Sequence, residues 1–259
     1  MKIACVQMNI VYAEPEVNFA AVEEYTQKAA KAGADVVVFP EMWNTGYALA
    51  QLSKLADVDG EETKKRLSHL AKSFNVNIVG GSVSTKKADG YYNTMYVADR
   101  SGRIAAEYDK AHLFKLMDEH LFLEAGQHKN LFELDTIKCG GIICYDLRFP
   151  EWFRTHILSG AKIMFIPAEW PQARVDHWRL LLQARAIENQ CYVVAVNRVG
   201  SDPNNLFNGH SMVIAPWGDL LLSSQSEAGI YYADLDLNEV ERVRSTIPIF
   251  QDRRTDLYE

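Results

Sequence analysis

The chain has 259 residues, 48% of them hydrophobic, which is enough apolar material for a sizeable core in one large domain or two small ones. Its 27 basic and 34 acidic side chains give a formal net charge of −7, a balance that argues against nucleic acid or an anionic membrane surface as a partner. The longest apolar runs, 36–40 and 163–167, fall far short of the roughly 20 residues that a membrane span needs.

The first residues, Met1-Lys2-Ile3-Ala4-Cys5-Val6-Gln7-Met8, lack the long apolar stretch and cleavage site of a signal peptide and predict a strand over 2–8. Apolar residues at 19, 22, 25, 29 and 30 predict a helix over 18–31, with Gly33 placed as its C-terminal cap. The Val-rich run 34–40 reads as a strand buried on both faces. It delivers Glu41, a carboxylate placed directly after a buried strand, where partial desolvation suits it to act as a base. A strand-end glutamate that caps a helix or faces solvent would look the same.

A helix over 61–74 and a strand over 77–84 follow. Two more strands, 91–98 and 103–109, are joined by the hairpin signal Asp99-Arg100-Ser101-Gly102. The second of these ends at Lys110, whose fixed charge could stabilise a developing oxyanion, or which could be an ordinary surface lysine. The strand predicted over 138–144 closes on Cys144 just before a turn into a helix after Pro150. A thiol there can be nucleophilic if a cation and a helix N-terminus hold it as thiolate, or can be a structural buried cysteine. A strand over 162–167, a helix over 176–190 and a strand over 191–197 continue the alternation. The C-terminal part reads as strand 210–215, the turn Pro216-Trp217-Gly218-Asp219, strands 220–223 and 230–235, and a short helix near 238–244. With no linker of distinct composition, 1–259 reads as a single α/β domain. Its polar tail, 245–259, has apolar residues among charges, as expected of a segment docking at a subunit interface or on its own subunit.

The cysteines at 5, 139, 144 and 191 form no CxxC pair and no Cys/His cluster with zinc spacing, so neither a metal nor a disulfide is expected, and the cytoplasm is the expected compartment. Of the seven histidines, His112, His177 and His210 lie near the reactive segments, and each reads best as a hydrogen-bonding or surface residue.

Taken together, the segments Pro40-Glu41-Met42-Trp43, Tyr108-Asp109-Lys110-Ala111-His112-Leu113, Ile143-Cys144-Tyr145-Asp146-Leu147-Arg148-Phe149-Pro150-Glu151, Ala184-Arg185-Ala186-Ile187-Glu188-Asn189 and Gly209-His210-Ser211-Met212-Val213-Ile214 resemble the nitrilase superfamily of carbon–nitrogen hydrolases over nearly the whole chain. The resemblance implies a four-layer α-β-β-α sandwich with mixed sheets, no metal or organic cofactor, a small-molecule amide as substrate, and a homodimer or higher homo-oligomer. It implies Cys144 as nucleophile, Glu41 as general base and Lys110 as stabiliser of the tetrahedral intermediate. The family's second glutamate, seven residues before a Pro-Gly or similar turn, falls on Glu119 ahead of Ala125-Gly126, with Glu124 as its rival. The backbone N–H of Tyr145 would complete the oxyanion hole.

The residues after Cys144 look like the amidase side of the superfamily, and Pro167-Ala168-Glu169-Trp170-Pro171 with Arg174, His177 and Trp178 resembles the omega-amidases, which act on 2-oxo acid amides such as 2-oxoglutaramate. A carboxylate on such a substrate needs a cation, which Arg148 or Arg174 could supply, although Arg148 could equally pair with Asp146 or Glu151. Trp43, Tyr47 and Trp170 are candidates to line the pocket. An N-carbamoyl amidohydrolase of the same superfamily is the alternative, and a metal-dependent phosphoesterase on a similar sandwich is a remote one.

Overall fold

Strands and helices alternate as the hydrophobic pattern requires in the computed structural model, which describes residues 1–258. In chain order the elements are β1 (Lys2–Gln7), α1 (Pro15–Lys31), β2 (Val36–Val38), α2 (Leu52–Leu55), β3 (Asp57–Val58), α3 (Glu61–Phe74), β4 (Asn77–Lys87), β5 (Gly90–Ala98), β6 (Ile104–Asp109), α4 (Glu119–Phe122), β7 (Leu131–Leu134), β8 (Ile137–Gly141) and α5 (Pro150–Leu158). They continue with β9 (Ile163–Ala168), α6 (Val175–Asn189), β10 (Tyr192–Asn197), β11 (Val199–Ser201), β12 (Leu206–Asn208), β13 (Met212–Ile214), β14 (Leu220–Ser223), β15 (Gly229–Asp234), α7 (Glu239–Thr246) and α8 (Thr255–Tyr258).

One sheet runs β15-β1-β2-β4-β5-β6, with β3 beside β4; the other runs β14-β13-β10-β9-β8-β7. The centres of both sheets are parallel (β1, β2 and β4 in one; β8, β9 and β10 in the other), and antiparallel strands close the edges. The period-two alternation of strands sorts the side chains between layers. Ala4, Val6 and Val37 turn outward against Phe19 and Val22 of α1 and Leu67 and Leu70 of α3. Their neighbours Ile3, Cys5, Val36 and Val38 turn inward onto the second sheet, whose far face is covered by Phe153 and Ile157 of α5 and Trp178, Leu182 and Ala186 of α6. The result is the expected four-layer α-β-β-α sandwich with mixed sheets.

Three boundaries differ from the sequence expectation for physical reasons. Helix α1 begins at Pro15 rather than 18, since proline's fixed φ suits a first helical position. The strand expected over 34–40 is only Val36–Val38: Phe39 N–H still donates to Val79 O at 3.1 Å, but Pro40 has no N–H to continue the ladder. The strand expected over 138–144 stops at Gly141, and Cys144 opens a 3-10 turn, Cys144–Arg148, with φ +45°. The short elements α2, β3, α4, β7 and the β11–β12 hairpin lack a sequence pattern long enough to predict them. Among the described residues no helix is long and apolar enough to cross a membrane.

Candidate active site

The C-terminal ends of β2, β6 and the segment after β8 converge, and each brings one reactive side chain. Glu41 follows β2 and is fully buried. Its Oε1 accepts from Lys110 Nζ at 2.7 Å, Asn93 Nδ2 at 2.8 Å and Tyr47 Oη at 2.9 Å, and its Oε2 accepts from Glu169 N–H at 2.7 Å. Lys110, just past β6, also donates to Glu119 Oε1 at 2.6 Å. Glu119 opens α4 and receives the Phe114 N–H on Oε2 at 2.6 Å. Tyr47 Oη lies against the same Glu119 oxygen and so ties both carboxylates together. Glu124, the rival second glutamate, is exposed. Gly126 is needed nearby, since a Cβ there would stand 2.0 Å from the Asp109 carbonyl oxygen.

The electrostatics follow from this burial. Burial alone would discharge Lys110, but the Glu119 and Glu41 carboxylates outweigh it and hold the ammonium well above its ordinary range. Glu119 is pushed up by burial and by Glu41, against the pull of Lys110. The Cys144 thiol is pushed well above its ordinary value by burial first and by the Glu41 carboxylate second, with Lys110 opposing. A thiol held up in this way can act as a nucleophile only where a neighbouring base takes its proton as it attacks, and Glu41 is the neighbour placed to do so.

The positive φ of Cys144 is a strained backbone for a non-glycine residue and needs a support. Asp146, fully buried two residues on, supplies it. Its Oδ1 accepts from His112 N–H at 2.9 Å and contacts His112 Nδ1 at 2.7 Å; its Oδ2 accepts from Tyr108 Oη at 2.7 Å and Ile143 N–H at 3.0 Å. Trp152 Nε1 donates to Tyr108 Oη at 3.1 Å, and His112 stacks on Phe149 at 3.7 Å. The nucleophile's turn and the segment carrying Lys110 are thus pinned to one carboxylate.

A narrow pocket of about 10 Å³ beside Cys144 is walled by Phe114, Tyr145, Arg148, Glu169, Trp170 and Arg174, with Pro171. The Arg148 guanidinium lies over the Trp170 ring, 4.7 Å from its centroid, and that of Arg174 over Phe114 at 5.4 Å. Arg148 contacts His177 Nδ1 at 3.4 Å instead of pairing with Asp146 or Glu151. Neither arginine forms an ion pair among the described residues. Tyr145 packs its ring on Phe114 at 4.7 Å.

Trp43 is a correction. The positive φ of Met42 turns the chain so that Trp43 points away from the pocket, donating from Nε1 to Gly80 O at 2.6 Å and meeting Phe19 edge-on in the outer α/β layer. Asn93, Asp146, Glu169 and Arg198 are the site residues that the sequence reading missed. Arg198 Nη1 donates to Glu169 Oε2 at 2.9 Å, with both side chains fully buried. Burial pushes Glu169 up to about 8 against the pull of Arg198, with Glu41 and Asp202 adding to the rise. No group of three or more His, Cys, Asp or Glu side chains placed to hold a metal ion occurs among the described residues.

Residues 2–245 match the carbon–nitrogen hydrolase family. The chain is 53% identical over 256 residues to the 2-oxoglutaramate amidase of Bacillus subtilis (strain 168), covering 99% of this chain and 98% of that protein. It is 32% identical to the omega-amidase NIT2 of Homo sapiens, covering 99% and 96% of the two chains. The crystal structure of a carbon–nitrogen hydrolase superfamily protein from Xanthomonas campestris, which carries an arsenic adduct in its active site, superposes with a TM-score of 0.91 at 29% identity, over 98% of this chain and 97% of that one.

Proposed function

The chain belongs to the carbon–nitrogen hydrolase family, and from that premise we propose that it is an omega-amidase, releasing ammonia from 2-oxo acid amides such as 2-oxoglutaramate through a thioester on Cys144. The observation that carries the substrate class is the pair of arginines. Arg148 and Arg174 share the nucleophile's pocket, each rests on an aromatic face, and neither has a protein carboxylate to neutralise it. A pocket with that surplus positive charge suits an amide whose far end is a carboxylate, which a guanidinium fork can bind through two oxygens. The similarity to the Bacillus subtilis enzyme points the same way.

Cys144 Sγ attacks the amide carbonyl carbon while its proton passes to Glu41. Lys110 and the Tyr145 N–H hold the oxyanion; losing one such donor costs about 10²–10³ in kcat. Glu41 then protonates the nitrogen as the C–N bond breaks, and ammonia leaves a thioester. Glu41 next takes a proton from water, the hydroxyl attacks the thioester, and the thiol is regenerated as the acid departs, so that amide and water give carboxylic acid and ammonia. Glu119 keeps Lys110 charged and in place through its 2.6 Å contact.

Two further parts of the reading rest on the surface. Leu158, Leu180, Ile187 and Trp217 lie exposed on the outer layer of the second sheet, and an apolar face of this kind fits a homodimer in which the 245–259 tail docks at the subunit interface. Four buried cysteines with no disulfide among the described residues fit the cytoplasm.

The experiment is ammonia release from 2-oxoglutaramate by wild type and Cys144→Ala in parallel. Release by wild type alone is expected. Release by neither would overturn the substrate assignment, and release by both would overturn the nucleophile.

A further inference from the structure

Glu169 is the acidic group at the pocket wall that the steps above leave unused, and its two oxygens are treated very differently. It follows the last residue of β9, and its main-chain N–H is the donor that holds Glu41 Oε2 at 2.7 Å, so its place relative to the base is fixed. Oε2 takes the Arg198 Nη1 donor at 2.9 Å. The other donors of Arg198 go to neutral oxygens, namely Val199 O, Ile10 O, Ser201 O and Asn9 Oδ1, so Glu169 is the one acidic side chain that this buried guanidinium touches among the described residues. Oε1, by contrast, is buried with no hydrogen-bond partner among the described residues, on a residue that lines the same pocket as Cys144.

A bare carboxylate oxygen at that depth is unfavourable until a donor reaches it. The reaction brings one. A primary amide carries two N–H donors on the atom that leaves. The oxygens of Glu41 are already engaged by Lys110, Tyr47, Asn93 and the Glu169 N–H. The acid product and an ester of the same acyl group carry no such donor at that atom.

We propose that Glu169 Oε1 accepts a hydrogen bond from the scissile –NH₂ of the substrate, and that Glu169 is thereby the residue that makes this site select primary amides over the corresponding esters. The inference rests on the amidase reading above and adds the group that recognises the leaving nitrogen. Holding one N–H fixes rotation about the C–N bond, so that the lone pair freed on attack at carbon faces the proton carried by Glu41.

The test is the ratio of kcat/KM for 2-oxoglutaramate to that for the 5-methyl ester of 2-oxoglutarate, in wild type and in Glu169→Gln. Both substrates pass through the same acyl-enzyme, so a general disturbance of Glu41 or Cys144 lowers both. Glutamine offers its oxygen to Arg198 and turns an N–H₂ donor toward the pocket, setting donor against donor. The amide is expected to lose about 10- to 100-fold while the ester changes by no more than about 3-fold. Equal losses on both substrates, or an unchanged amide rate, overturn the proposal.

Because Glu169→Gln strips Arg198 of its acidic partner, Glu169→Leu/Arg198→Met, which removes the pair and leaves no acceptor at 169, is measured beside it with the same expectation. Binding to Cys144→Ala gives a third readout free of any change at Glu169: the amide should bind about 10-fold tighter than the ester, and equal binding would count against the role. Wild-type turnover of 2-oxoglutaramate is read first. Its absence sinks the substrate assignment alone, and the amide-to-ester ratio is then taken on a simple aliphatic pair.

Discussion

Lys110 places one positive charge between two buried carboxylates, and most of the residue-scale chemistry follows from that. Removing the cation leaves Glu41 and Glu119 facing each other without compensation, which two buried like charges cannot sustain. Lys110→Met is therefore expected to abolish turnover and also to destabilise the fold by about 3–5 kcal/mol, read as a shift of the urea midpoint. A variant with wild-type stability would mean that the two carboxylates do not depend on Lys110. Cys144→Ala, which loses one sulfur and keeps the turn pinned by Asp146, should be inactive with an unchanged melting temperature. Because burial and the neighbouring Glu41 push the Cys144 thiol up, its alkylation by iodoacetamide is expected to depend on Glu41. Glu41→Gln should slow alkylation of Cys144 by about 10-fold or more, and an unchanged rate would exclude Glu41 as the base. Glu41 and Cys144 follow apolar runs and Lys110 a hairpin strand, which makes them candidates in the sequence, and the family resemblance is what gives the three their roles. Glu169 is not such a candidate, because nothing in its neighbours says that one of its oxygens is left without a donor. Trp43 follows a strand end, as a pocket aromatic would, but the left-handed turn at Met42 sends it into the outer layer, which the sequence does not reveal.

Among the elements, α5 is held by a histidine whose protonation state the hydrogen bonds dictate. His156 Nδ1 lies 2.8 Å from Trp152 O and so carries the proton, while Nε2 accepts the Asn130 N–H at 3.2 Å and so cannot. Burial holds this imidazole below its ordinary value. The sign follows: as pH falls through the ordinary histidine range, the unfolded chain takes up a proton that the folded one refuses, and stability drops by up to about 1.4 kcal/mol per pH unit. His156→Gln can keep an acceptor for Asn130 without titrating. Between pH 7 and pH 5 wild type should lose about 1 kcal/mol more stability than this variant; parallel losses would show that His156 does not titrate on unfolding. The long, strongly patterned elements β1, α1, α3, β4, β9, α6 and β10 are legible in the sequence to within a few residues. The segment 112–130, which carries Glu119 into the site, is a four-residue helix and a 3-10 turn, too short for a period to emerge. Only the resemblance to a family placed Glu119 there.

At the scale of the whole molecule, the helical layer outside the second sheet carries exposed apolar side chains. Leu180 and Ile187 stand seven residues apart on α6, on the stripe opposite buried Trp178, Leu182 and Ala186, and Leu158 of α5 and Trp217 lie exposed on the same side of the sandwich. The tail runs off this layer: Gln190 Nε2 donates to Ile247 O at 2.7 Å, and Phe250 lies under the guanidinium groups of Arg154 and Arg244. Those contacts anchor its first part to its own subunit, while Leu257 further on is 69% exposed. If a second copy covers the apolar layer, light scattering of wild type should give twice the 29.3 kDa of one chain. Leu180→Glu/Ile187→Glu, which buries two charges in that interface, should give monomers that still fold. Deleting 253–259 separates the two possible destinations of the tail. A tail that docks on the partner weakens the dimer without changing the melting temperature of the isolated subunit, whereas a tail that docks on its own subunit lowers that temperature and leaves the dimer intact. A wild-type mass of one chain would remove the interface altogether, and Leu180 and Ile187 would then be exposed apolar residues with no structural partner.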